Sequence, residues 1–173
     1  VYFSDTTHTI EKLPNNRLKT PIGLHGSYYI NDWSIFKAFY RFYKDDFGIT
    51  AHTIEIETPI KIPEFIVLSP FYRVHSQTSS EYFSPFAEHN VNTEYYTSDY
   101  DLSEMITHKI GFGFKYSPLF GLFNKESTKR NTKKIRFKKI EIRSAKYFRT
   151  NNANITLKAY IATIGVTYTI NWH

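Results

Sequence analysis

Apolar and polar residues alternate one by one along most of this chain, and that spacing leaves few folds open. PIGLHGSYYI (residues 21–30) sets Ile22, Leu24, Tyr28 and Ile30 on one side and His25, Ser27 and Tyr29 on the other. WSIFKAFYRFYK (33–44) opposes Phe36, Ala38, Tyr40 and Phe42 to Lys37, Arg41 and Tyr43. TAHTIEIETPIKI (50–62) opposes Ile54, Ile56 and Ile60 to Thr53, Glu55 and Glu57, and FIVLSPFYRVHSQ (65–77) opposes Ile66, Leu68, Tyr72 and Val74 to Ser69, Arg73, His75 and Gln77. The pattern returns in THKIGFGFKY (107–116), where Ile110, Phe112, Phe114 and Tyr116 alternate with Lys109, Gly111, Gly113 and Lys115. IRFKKIEIRSAKYF (135–148) sets Ile140 and Ile142 against Lys139, Glu141 and Arg143. ITLKAYIATIGVTYTINW (155–172) sets Tyr160, Ile164, Val166, Tyr168 and Ile170 against Thr163, Gly165, Thr167, Thr169 and Asn171. Side chains on a strand point alternately to its two faces, so each segment reads as a strand with one apolar face. Only 33–44 has a competitor, because Phe36, Phe39, Tyr40 and Tyr43 also fit a helical stripe. The strand propensity of aromatics decides it for a strand.

No run approaches the roughly 18 consecutive apolar residues of a membrane-spanning helix. That excludes a helical membrane protein and leaves a barrel, whose strands need only about 9–11 residues each. The 14 Tyr and 15 Phe stand beside a mean hydropathy of −0.43. Aromatics against lipid and charges in a wet lumen produce that combination. A soluble lipocalin-like barrel or a β-sandwich shares it. The absence of Cys excludes disulfides, thiol catalysis and zinc–thiolate sites. The chain starts at Val1 with no leader pattern, as a processed protein or a piece of a longer one does.

The fold expected is an all-β, antiparallel transmembrane β-barrel with seven or eight strands present, the C-terminal part of a larger barrel. Residues 1–173 then form one domain or the end of one. Lys37, Arg41, Glu55, Glu57, Arg73, His75, Lys109, Lys115, Glu141 and Arg143 are the candidates to face the lumen. Phe36, Tyr40, Phe42, Ile54, Ile56, Tyr72, Phe112, Phe114, Tyr160, Ile164 and Tyr168 are the candidates to face lipid. If the last strand ends in the periplasm, residues 78–104 form a long extracellular loop and 118–134 a basic periplasmic connection. Val1-Tyr2-Phe3 reads as the tail of a strand whose predecessors are missing.

LPNNRLKTPIGLHGSYYINDWSIFKAFYRFYKDDFGITAHTIEIE (13–57), LSPFYRVHSQTSSEYFSPF (68–86) and YYTSDYDLS (95–103) together resemble the DUF3570 family of outer-membrane proteins from Bacteroidota and some other Gram-negative bacteria. The resemblance is close over residues 13–116. It implies a barrel in the bacterial outer membrane and, since family members are longer, a chain that is part of one. The family has no assigned activity, so the resemblance implies no catalytic residue. One departure is His173, because a terminal Phe is the usual insertion signal and here Trp172 has to serve.

Pairing around Asp45 to Gly48 brings Lys37 near Glu57 and Arg41 near Glu55 or Thr53. A polar conduit or binding site and a structural ladder of ion pairs both have that appearance. His25, His75 and His108 are expected on the inner face, yet no pair has the local spacing of a metal motif, and lumen hydrogen bonding is the simpler role. Ser69 and His75 share a face but lie roughly 20 Å apart along one strand, too far for a catalytic dyad. The basic run KESTKRNTKKIRFKK (125–139) has its aromatics on the face opposite its charges, which favours lipid headgroups or solvent over nucleic acid. Tyr82, Phe83, Phe86, Tyr95, Tyr96 and Tyr100 in the polar loop suggest a folded cap or a partner surface. Asp99, Asp101 and Glu104 lack an EF-hand spacing. No cofactor, metal or catalytic set is expected. The expected role is a pore or scaffold for small polar solutes, with the lipid bilayer as partner. The alternatives are an accessory subunit of an envelope complex and a soluble ligand-binding barrel.

Overall fold

The computed structural model describes residues 1–3, 7–62, 65–90, 92–118, 134–151 and 156–171, the side chains of 134–137 and 170–171 excepted. The alternating segments form the strands β1 (Lys19–Asn31), β2 (Ser34–Asp45), β3 (Thr50–Glu57), β4 (Ile60–Ile62), β5 (Ile66–Gln77), β6 (Met105–Tyr116), β7 (Lys134–Asn151) and β8 (Thr156–Asn171). They make one antiparallel, 8-stranded sheet in the order β1-β2-β3-β5-β6-β7-β8, with β4 paired to β2 and β5. The only helix among the described residues is a 3-10 turn at Tyr100–Leu102. No pairing among the described residues joins β1 to β8.

The stretch 50–62, expected as one strand, is two. Pro59 has no N–H to give the ladder. Ile35 N–H donates to its carbonyl, Thr58 N–H donates to Pro70 O, and the chain resumes as β4 in the same line. Residues 1–3, expected as the tail of a strand, do not join the sheet. They make isolated bridges, Tyr2 to His8 and Phe3 to His89.

The sheet curls toward the face that carries Glu57 and Arg143. Strands β5 and β6 lie between β3 and β7, a separation of about 14 Å on a flat sheet. Arg143 Nη2 nonetheless reaches Glu57 Oε2 at 3.3 Å. Small residues allow the curl. Gly111 opposes Ala145, and a Cβ on Gly111 would stand 2.2 Å from Ser144 O and 2.8 Å from Ala145 Cβ. Phe71, opposite Gly111 in the register, is buried, with the Arg143 guanidinium 4.8 Å from its ring centroid.

One end of the sheet is closed by a cap of residues 1–18, the β2–β3 turn and residues 78–104. Asp45 ties the first two together, and Glu81 N–H, donating to Phe47 O, joins the third to the turn. The Asp45 carboxylate is buried and accepts Arg17 Nε at 3.0 Å, Tyr43 Oη at 2.8 Å, and the N–H groups of Phe47 and Ile49, each at 3.0 Å. Arg17 also lies over the Phe47 ring at 4.6 Å. Gly48 completes the turn at φ 81, and Glu81 from the long loop packs where a Cβ would be. Beyond the turn, Phe3 packs edge-on against Tyr96 and Phe47 against Tyr82. Removing the carboxylate leaves Arg17 and two turn amides without their acceptor. Asp45→Ala is therefore expected to cost about 3 kcal/mol, at the lower end for a buried pair because Arg17 keeps some solvent access. Equilibrium urea unfolding checks it, and a midpoint no lower than that of the exposed control Asp32→Ala would refute the role given to Asp45.

Candidate functional site

Residues directly opposed across an antiparallel pair point to the same side of the sheet, so the register decides which side chains share a face. Lys37 opposes Glu57, Glu55 opposes Arg73, Arg73 opposes Lys109, and Lys115 opposes Glu141. Arg41 opposes Thr53, Thr53 opposes His75, and Arg143 opposes Gly113. All of these stand on the concave face. Phe36, Tyr40, Phe42, Ile54, Ile56, Tyr72, Phe112, Phe114, Tyr160, Ile164 and Tyr168 stand on the convex one, in rows such as Tyr40–Ile54–Val74 and Phe114–Ile142–Ile164.

The histidines divide differently from the sequence expectation. His25 opposes Phe39 and is on the concave face. His108 is not: it opposes Val74 and sits on the apolar face, Nδ1 2.7 Å from Tyr72 Oη. His52 does the same beside Tyr40, at 2.8 Å. His108 has the same parity as Ile110 and Phe112, so strict alternation already excludes it from the face of Lys109. His75 is held by Thr53 Oγ1 at 2.9 Å. No cluster of His, Asp or Glu suited to a metal occurs among the described residues.

Below a cavity of about 330 Å³ against the cap, lined by Arg17, Arg41, Tyr43, Ala51, His75 and Gln77, two further cavities lie along the concave face. The lower, about 310 Å³, is lined by Lys37, Glu57, Ser69, Lys115, Glu141 and Arg143. Its charges oppose one another in the register, and the Arg143–Glu57 pair crosses it. The upper, about 380 Å³, is lined by Arg41, Arg73, His75, Lys109, Arg149 and Asp101, with Thr107 and Tyr147. Ser69 and His75 thus line separate cavities. In the upper one Arg73 lies 3.8 Å from Glu55, and Arg149 bonds Asp101 Oδ1 and Tyr100 O. Lys109 stands 5.8 Å from the centre of the Phe71 ring. Arg41 has no ion pair among the described residues, and its buried Nε has no hydrogen-bond partner. A buried donor left unmade costs about 1–3 kcal/mol, and more when charged. Tyr147, Arg149 and Thr107 are not among the residues expected from the sequence, and Asp101 is expected there only as part of an acidic group without an EF-hand spacing. The first two continue the odd-numbered series Lys139, Glu141, Arg143, which was the available signal.

The cap roofs the upper cavity through residues 100–103. Asp99 caps the 3-10 turn by accepting Asp101 N–H at 2.9 Å, while Gln77 Nε2 donates to Asp101 O and Ser103 O, both at 2.9 Å. Behind them Thr97 is fully buried, donates to Glu11 and accepts Asp99 N–H. Asp99 and Asp101 are thereby occupied in holding the turn. The connection expected at 118–134 lies outside the described residues from 119 to 133.

A family model described as "Protein of unknown function (DUF3570)" matches residues 2–167. The chain belongs to the DUF3570 family. No curated protein and no solved structure matches it. The DUF3570 description carries no activity, so every role given to a residue here rests on its own geometry.

Within this DUF3570 chain the cap holds a buried histidine, His89, with Nε2 3.1 Å from Ser98 Oγ. Burial pushes its imidazole below the ordinary range, and hydrogen bonds to the backbone of Thr97 and Ser84 oppose that without cancelling it. The fold thus favours the neutral ring. Its contribution is complete above the ordinary imidazole value of about 6.5 and is lost as pH falls through the lower folded value. Amide hydrogen exchange in residues 78–104 is expected to quicken between about pH 7.5 and pH 5 after correction for intrinsic rates. His89→Gln is expected to flatten that pH dependence, and an unchanged profile in the variant would assign the effect elsewhere.

Proposed function

We propose that this DUF3570 protein is a bacterial outer-membrane β-barrel whose concave face lines a wet interior that binds or passes a small polar solute. The observation that carries the reading is the exposure of the apolar face. Leu24, Tyr28, Tyr160 and Ile164 are 68%, 70%, 81% and 71% exposed, and apolar neighbours extend the surface across the sheet. A continuous apolar surface of this kind aggregates in water, and a bilayer covers it. Charges meanwhile line the concave face, the reverse of a soluble ligand-binding barrel with an apolar interior.

Strand length supports the same reading. β1, β2, β5, β6, β7 and β8 have 13, 12, 12, 12, 18 and 16 residues, against the roughly 9–11 that a tilted strand needs to cross. Trp33 at the tight β1–β2 turn and the nearby Tyr28 are exposed at one end, as in an aromatic girdle. The cap closes the opposite end, which is the extracellular end if long loops face outward. Hydrocarbon tolerates no unpaired backbone, so in the bilayer the β1 and β8 edges must be satisfied, by each other, by a second copy or by further strands. The accessory-subunit reading has less support. The cap aromatics mostly pack on one another, with Phe86 left 63% exposed.

Refolding the full-length protein into phosphatidylcholine vesicles tests the proposal. The protein is expected to insert in a heat-modifiable, protease-protected form and to conduct ions in planar bilayers if the interior is a pore. Ile164→Arg on the convex face is expected to weaken insertion by about 2–4 kcal/mol, and Thr163→Arg on the concave face to leave it nearly unchanged. A chain that stays monomeric and folded without detergent, with both variants alike, sinks the membrane reading.

A further inference from the structure

We propose that the cavity beneath the cap is a binding site for a small soluble oxyanion, a carboxylate or phosphate, held by Arg41 and Lys109 with Arg73 beside them. The inference deepens the reading above by naming the class of solute. It rests on that reading only for a concave face that is wet.

The lower and upper cavities differ in how their charges are used. In the lower one three cations share two lining acids: Arg143 reaches Glu57, and Lys37 and Lys115, which close no ion pair among the described residues, stand opposite Glu57 and Glu141 in the register. In the upper one Arg41, Arg73, Lys109 and Arg149 face a single lining carboxylate, Asp101, which Arg149 already holds. Glu55 lies 3.8 Å from Arg73, and no acid pairs with Arg41 or Lys109 among the described residues. Arg41 is the sharper case, because its Nε is buried with no acceptor. The residues opposite it, Gly23 and Thr53, supply no charge to answer it.

A guanidinium whose donors lack acceptors, beside an ammonium, suits the paired oxygens of a carboxylate or phosphate. The roughly 380 Å³ of space is within the range of small-molecule sites. Rings of Arg and Lys are also how pores select anions.

Titration calorimetry on the full-length protein in a neutral maltoside detergent tests the site. The probes are succinate, inorganic phosphate, glucose and a short-chain phosphatidylglycerol. Wild type is expected to bind succinate or phosphate, weakening as salt rises, and to ignore glucose. Arg41→Gln and Lys109→Gln are each expected to lower affinity about tenfold or more. Lys37→Gln, which removes the same charge from the lower cavity, is expected to change it little. Arg41→Lys, which keeps the charge and loses the fork, covers the case in which Arg41→Gln does not fold, and is expected to bind more weakly than wild type. The proposal is overturned if wild type binds neither anion, if the upper-cavity variants bind as wild type does, or if Lys37→Gln loses as much as Arg41→Gln. Binding of the phosphatidylglycerol alone assigns the charge to a lipid headgroup and overturns the soluble-ligand form. Vesicle insertion of the same preparations separates the two readings: a protein that inserts but binds no anion loses only this inference.

Discussion

The curl that brings Arg143 on β7 to Glu57 on β3 is the constraint from which the remaining features follow. A pleated sheet with one charged and one apolar face can bend either way. Bending toward the apolar face buries a conventional core, and bending toward the charged face leaves the apolar rows outside. This sheet takes the second course because the residues at its inner crossing points are small. Gly111 and Ala145 leave room for Phe71, and Phe71 in turn gives Arg143 and Lys109 an aromatic surface to lie against. The buried positions confirm where packing concentrates. Phe71 and Ala145 are covered in mid-sheet, while Phe47, Ile49, Ala51 and Met105 are covered where the sheet meets its cap. Almost nothing along β1 or β8 is covered.

The cap answers a different physical problem. A long loop rich in aromatic and polar residues must satisfy its own backbone, and short bridges do much of that work: Lys12 with Tyr96, Phe83 with Thr97, Phe3 with His89. Asp45 then fixes the cap to the sheet, since one carboxylate serves the turn amides, the tyrosine on its own strand and the arginine that leads into β1. A buried carboxylate with this many donors is held in one orientation, so the turn and Arg17 keep a common geometry, and Glu81 and Tyr82 of the long loop dock on Phe47 of that turn.

Much of this was legible in the sequence because a strand has a period of two. Parity alone separates Lys37, Arg41, Glu55 and Arg73 from Phe36, Tyr40, Ile54 and Tyr72, and tertiary context cannot change parity without a bulge. The same rule, applied strictly to His108, puts it with Ile110, where it lies bonded to Tyr72. What parity cannot supply is a local break or a long-range contact. Pro59 interrupts a strand whose alternation runs on past it, because the pattern records side chains and the break concerns a missing N–H. Residues 1–3 look like a strand for their β-branched and aromatic content, yet Tyr2 turns back on His8 and Phe3 pairs with His89 in the 78–104 loop, the latter at a separation no local pattern encodes. The sequence leaves Arg41 near Glu55 or Thr53, and the register decides for Thr53; it alone shows that Arg73 stands opposite Lys109.

Following the register row by row shows why surplus charge collects at one end. The row nearest the cap, Pro21, Tyr43, Ala51, Gln77, Met105, Asn151, carries no charge, and the one below it runs Gly23, Arg41, Thr53, His75, Thr107, Arg149, with two arginines and no acid. The next runs His25, Phe39, Glu55, Arg73, Lys109, Tyr147, with one acid for two cations. Below it Ser27, Lys37, Glu57, Phe71, Gly111 and Ala145 balance one against one. Of these rows the one holding Arg41 and Arg149 has the largest positive surplus, and Asp101, the carboxylate that answers Arg149, comes from the cap and not from a strand. The 3-10 turn that presents Asp101 is held by Gln77 and Asp99, so the cap is at once the roof of the upper cavity and part of its charge balance. Because Arg149 is neutralised from above, the cations left to act within the cavity are those on β2, β5 and β6, on the side facing the interior.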